Sequence, residues 1–175
     1  MEKQYSSAQE IEDLIRARYV LLYVVSPEED RVAKAIAEIG DRRKRKVIAW
    51  SCTEGLKALD ESESYQDIKD PLKALDFVAN YENDAIFLLK DFHPYIEGRA
   101  TVAIRRRLRD LNHQLKESGK YRRTIVLLSS ILNIPAELEK EFAVVDFVLP
   151  GRTEIEKIVT EMLASHPQLD IEART

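Results

Sequence analysis

Val20-Leu21-Leu22-Tyr23-Val24-Val25-Ser26-Pro27-Glu28-Glu29-Asp30-Arg31 is the stretch whose reading decides the architecture. Its unbroken apolar run, rich in valine and stopped at once by Ser-Pro, reads as a strand buried on both faces. Pro27 suits the first position of a following helix and Ser26 its N-cap, while Glu28, Glu29 and Asp30 favour the positive end of that helix's dipole. Val32, Ala35, Ile36 and Ile39 form the helix's apolar stripe, which is expected to stop near Gly40.

The same strand-then-helix pattern extends on both sides. Upstream, Ser7-Ala8-Gln9-Glu10 has capping-box spacing and predicts a helix to about residue 17, with Ile11, Leu14 and Ile15 inward. Downstream, strands are predicted at 47–52, 85–91, 124–129 and 142–149. Helices are predicted at 70–80, 99–118, 135–141 and 153–164, the last with Ile155, Ile158, Val159, Met162 and Leu163 as its stripe. The polar stretch 53–69 reads as a surface loop. Five buried-type strands alternating with helices require a three-layer α/β sandwich around a five-stranded parallel sheet. The expectation is one domain over 1–165 and a frayed tail over 166–175.

A chain of 175 residues suits one domain that buries about 70% of its unfolded surface. With 45% hydrophobic and 33% charged residues it reads as soluble and globular. Its apolar runs are too short to span a bilayer, and residues 1–12 lack an apolar signal-peptide core. The lone Cys52 excludes an internal disulfide framework and fits a reducing compartment. The net charge of −4 hides opposed regions. Arg42-Arg43-Lys44-Arg45-Lys46 is an unbroken basic run, and between 99 and 123 nine bases face only Asp110 and Glu117. The remainder is strongly acidic.

In parallel sheets of this kind, ligands bind beyond the carboxyl ends of the strands. A nucleoside triphosphatase of the P-loop type would place a Gly-rich, Lys-bearing loop after strand one; this chain has a Gly-less turn with three acids, which would repel a triphosphate. Asp91 closes an apolar strand, as a Mg²⁺ ligand of the Walker-B kind does, but Phe92 stands where a water-activating Glu commonly follows. Ser129 and Ser130 are candidate γ-phosphate sensors. His93 has no nucleophile at useful spacing, and no metal-ligand cluster is visible. No catalytic residue is therefore assigned. The acids after strand one, Asp91 and Ser129 or Ser130 also fit loosely a receiver-like phosphoacceptor domain, although the Lys expected after strand five is missing.

A more specific likeness runs through Arg16-Ala17-Arg18-Tyr19, Trp50-Ser51-Cys52-Thr53-Glu54-Gly55-Leu56, Lys90-Asp91-Phe92-His93-Pro94, Arg107-Leu108-Arg109-Asp110-Leu111, Ile134-Pro135-Ala136-Glu137-Leu138 and Asp146-Phe147-Val148-Leu149-Pro150. In that order, over roughly 8–165, they resemble the N-terminal domain of the AAA+ ATPases encoded as a hypothetical chloroplast reading frame in algal plastids and in cyanobacteria. The resemblance implies a degenerate P-loop fold, with ATP hydrolysis left to a second module bearing intact Walker motifs. The chain is then either a domain of a longer ATPase or a stand-alone relative. Only Asp91 maps onto a Walker-B-like place, so ATP and Mg²⁺ are implied by association alone and no cofactor is expected in this chain. A cytoplasmic or stromal regulator in photosynthetic cells is the implied setting.

The leading functional expectation is a non-catalytic pseudo-ATPase domain acting through oligomerisation or protein contacts. The competing one is nucleic-acid binding. The connections at 41–46 and 119–123 fall at the amino edge of the sheet, so Arg42, Arg43, Lys44, Arg45, Lys46, Lys120, Arg122 and Arg123 could merge with Arg105, Arg106 and Arg109 of the long helix into one phosphate-contacting patch.

Overall fold

The computed structural model describes residues 6–60, 62, 63, 65, 67–98, 101–149 and 151–165. Its elements run α1 (Ser7–Arg16), β1 (Leu21–Val25), α2 (Glu29–Arg43), β2 (Lys46–Ser51), β3 (Gly55–Ala58), α3 (Pro71–Asn80), β4 (Ala85–Lys90), a 3₁₀ turn (His93–Tyr95), α4 (Val102–Glu117), β5 (Arg123–Ser129), β6 (Ala143–Asp146) and α5 (Arg152–Ser165). The proposed tail at 166–175 lies outside the described residues.

The sheet has six strands in the order β3-β2-β4-β5-β1-β6. All neighbours are parallel except β3, which pairs antiparallel with β2 through Ile48↔Ala58 and Trp50↔Leu56. Five parallel strands were expected, and all five form; the sheet is mixed because β3 adds an edge. Its place is within the stretch read as a loop, where Leu56 and Ala58 are buried and Trp50 Nε1 donates to the Ile68 carbonyl at 2.7 Å. Only two of its four residues face the core, too short an alternation to register as a strand. Taken alone, the parallel strands lie in the order 2-3-4-1-5, which differs from the 2-1-3-4-5 of flavodoxin-like receivers and removes the receiver reading.

Strand side chains alternate between two cores, as the period of two requires. Leu21, Tyr23, Phe87, Leu89, Ile125 and Leu127 meet Leu75 and Val78 of α3 and Leu108 and Leu111 of α4. Leu22, Val24, Ile86, Leu88, Val126 and Leu128 meet Ile11 and Ile15 of α1 and Val32, Ile36 and Ile39 of α2. Helices thus cover both faces, which is why β1, residues 85–89 of β4 and residues 125–128 of β5 are apolar without interruption.

Several boundaries depart from expectation for local reasons. Ser6, not Ser7, caps α1, accepting from the Gln9 amide at 3.2 Å. Ser7 Oγ instead ties α1 to the sheet, donating to the Asp146 carbonyl and accepting from the Val148 amide, both at 3.3 Å. Ser26 does not cap α2: it accepts from the Glu28 amide at 3.1 Å, and Glu28 takes the cap position without a side-chain bond. Gly40 does not stop α2 but lets it approach the sheet, since a Cβ there would lie 2.5 Å from Val47 Cγ2. The helix ends three residues later, where left-handed Lys44 turns the chain. Residues 136–141 form turns instead of a helix, with Leu138 buried. Along α5, Ile155, Val159, Met162 and Leu163 of the expected inner stripe are exposed, and Ile158 lies outside the described side chains.

Candidate functional site

The strand order brings the ends of β1, β4 and β5 together at the carboxyl edge. Lys90↔Leu128 pairing sets Asp91 level with Ser129, and the Ser26 amide donates to the Ser129 carbonyl at 2.9 Å. Above this row stands the N-terminus of α2, where backbone N–H groups and the helix dipole would attract an anion. Here the first turn carries Glu29 and Asp30 behind Glu28, so the helix answers its dipole with its own carboxylates. Lys90 reaches across the edge to Glu29, Nζ to Oε1 at 2.7 Å. Arg31 binds Glu28 through Nε at 2.8 Å, donates to the Val148 carbonyl and lies over the Phe147 ring at 4.6 Å. The concavity beside Lys90 and Ser51 measures only about 20 Å³, room for about one water.

Of the three residues expected here, Asp91 and Ser129 share the edge. Asp91 is exposed in the left-handed region at φ 48°, its amide donating to the Leu128 carbonyl at 2.9 Å. Ser129 is buried, its Oγ 2.8 Å from His93 Nδ1 and accepting from the Ile131 amide at 3.3 Å, so the hydroxyl is engaged. Ser130 points outward. The link of His93 to Ser129 spans 36 residues of sequence and depends on the β4–β5 pairing, so spacing along the chain does not reveal it. Among the described residues no group of three or more His, Cys, Asp or Glu is placed to hold a metal ion, and no helix is long and apolar enough to cross a membrane.

The bases proposed as one patch are distributed among several structural roles. Arg42 and Arg43 lie in the last turn of α2 and both grip Glu12 of α1, at 2.8 and 2.7 Å. Hydrogen bonding from Arg42, joined by Arg43 and opposed by desolvation, holds the Glu12 carboxyl below its ordinary range. Lys46 pairs with Glu63 at 2.7 Å, a bond that raises the lysine above its ordinary value. Arg122 is chelated by Asp84, and buried Arg123 donates to the carbonyls of Val78, Ala79 and Tyr81, capping α3. Lys120 lies over the Tyr121 ring at 4.9 Å. Arg105 and Arg109 pair with Glu137 and Glu141 in the segment between β5 and β6, and Arg106 with Asp110. Lys44 is exposed, Arg45 buried. Most of the bases named for the patch are therefore engaged by carboxylates or backbone carbonyls.

A helix-covered, largely parallel sheet whose carboxyl edge carries charge pairs beside the α2 N-terminus defines the class: an α/β domain. The model of the family "SpoVK-like AAA ATPase, N-terminal domain" matches residues 7–147, and the chain belongs to that family. It is similar to the AAA domain-containing protein ycf46 of Guillardia theta, 34% identical over 147 residues (82% of this chain, 28% of that protein). The ycf46 proteins of Trieres chinensis and Pyropia yezoensis are 32% and 29% identical, covering 87% and 88% of this chain and 30% of each relative. The chain thus spans about three-tenths of the length of these relatives. A solved structure, Drosophila ORC bound to GC-rich DNA and Cdc6, covers 91% of this chain and 66% of its own at 13% identity and a TM-score of 0.37.

Proposed function

We propose that this chain is a non-catalytic, degenerate P-loop-like module of an AAA-type ATPase, working through protein contacts in the cytoplasm or the plastid stroma. The observation that carries this reading is the α2 N-terminus, where Glu28, Glu29 and Asp30 would repel a phosphate and Glu29 is held by Lys90. Protein contact is supported by the exposed large apolar side chains gathered near the end of the described chain, Val144, Val148, Leu149, Ile155 and Val159 among them. The engagement of Arg42, Arg43, Lys46 and Arg122 with carboxylates counts against an extended nucleic-acid patch. Calorimetry of the chain with ATP and Mg²⁺ tests the reading. No micromolar binding that depends on Asp91 is expected, and micromolar binding lost in Asp91→Ala would overturn it.

A further inference from the structure

At the amino edge, opposite the strand ends discussed above, lies a small cleft floored by the start of β5 and by Val20 and Arg45, which lead into β1 and β2, and walled by the ends of α1 and α4. Arg18, Arg45, Lys116, Arg122 and Arg123 all line it, and no carboxylate does. Its volume is about 80 Å³, well below the ~300–1,000 Å³ of ordinary small-molecule pockets, which suits a small oxoanion and not a nucleoside.

Arg45 gives the cleft its meaning. The residue is only 8% exposed, its Nε has no hydrogen-bond partner, and among the described residues no carboxylate lies within ion-pair distance. Burial foremost, then the adjacent charge of Arg122, with Asp84 opposing, holds this guanidinium below its ordinary value. A guanidinium does not escape burial by losing its proton, so a buried one among like charges calls for an anion. The Nε of Arg123 is buried and unpaired as well.

A second observation comes from Arg18. The Tyr19 amide bonds to the Leu14 carbonyl at 3.1 Å and the Arg18 amide to Ile15 at 3.2 Å, a Schellman closure of α1 with Arg18 left-handed at φ 64°. Glycine is the usual residue at this position because it adopts that conformation without strain. An arginine there sets a cation at the cleft's mouth. The carbonyl ends of α1 and α4 offset roughly half a charge each, and Asp84 offsets Arg122, so the lining stays positive.

We propose that this cleft is a binding site for a tetrahedral oxoanion, either inorganic phosphate or the terminal phosphate of a larger molecule, held by Arg45 from below and Arg18 from the mouth. The site is independent of the carboxyl-edge reading, since neither Asp91 nor Glu29 contributes to it.

The test is thermal denaturation and calorimetry of the full chain titrated with inorganic phosphate against chloride at matched ionic strength, with Mg²⁺-free ATP as a second arm. Phosphate is expected to raise the midpoint saturably, because a ligand of the folded state stabilises it by mass action. Arg45→Met should abolish the saturable component. Arg18→Ala, at an exposed position that cannot unfold the core, should weaken binding by about tenfold, the loss of one charge-assisted hydrogen bond. Binding in the phosphate arm alone identifies the free ion, and binding in both arms a terminal phosphate; either supports the site. A midpoint that rises equally in wild type and Arg18→Ala is a general salt effect and would overturn it.

Discussion

Replacing Glu12 by alanine is expected to unlatch α1 from α2. The Glu12 carboxylate is nearly buried and accepts from Arg42 through Nε at 3.2 Å and its terminal nitrogen at 2.8 Å, and from Arg43 Nε at 2.8 Å. Hydrogen bonds to a charged group contribute about 1.5–3 kcal/mol. Both arginines reach solvent, with side-chain exposures of 51% and 33%, so they rehydrate when the carboxylate is lost and no charge is stranded. The cost therefore falls at the lower end, about 2 kcal/mol. For a domain of this size that is a fall in midpoint of about 4–8 °C. Because Glu12 is held below its ordinary value, the unfolded chain binds its proton more readily than the folded one. Its contribution is full above the ordinary carboxylate pKa of ~4.3 and fades as pH falls through the lower folded value. Urea denaturation followed by circular dichroism at pH 7 and near pH 3 should show a large wild-type advantage that shrinks with acid. A difference below ~0.5 kcal/mol at pH 7, within the ordinary range for surface changes, or one equal at both pH values, would refute the latch.

Two further substitutions probe the fold. Leu56→Ala in β3 removes a fully buried side chain and should cost about 2–5 kcal/mol by urea denaturation, whereas a residue in a surface loop would cost almost nothing. Gly40→Ala should destabilise by about 1–3 kcal/mol in the same assay despite alanine's better helix propensity, because the new methyl meets Val47 and the Arg45 carbonyl at 2.5 and 2.9 Å.

Strands with apolar side chains on both faces were legible as unbroken runs, and the helices of the two outer layers as stripes at helical spacing. β3 was not, because its alternation covers four residues, and its edge position is secured by Trp50 and Ile68 from elsewhere in the chain. The ends of α1 and α2 misled for another reason: cap choice between Ser6 and Ser7, or between Gly40 and Lys44, is decided by which group the sheet needs close by. At the candidate site the Gly-less acidic turn was visible residue by residue. The Lys90–Glu29 bridge was not, since it depends on β5 lying between β1 and β4. Charge runs were the least transparent feature. Arg42-Arg43-Lys44-Arg45-Lys46 looks like one surface, yet its members face Glu12, solvent, a buried cleft and Glu63 in turn.

The central claim is that the carboxyl edge is closed to phosphates by its own charges. Amide NMR of the chain titrated with ATP and Mg²⁺ tests it at the residues concerned. The amides of Ser26, Glu28–Arg31, Asp91 and Ser129 are predicted to stay in place. Saturable shifts concentrated on those amides would contradict the account.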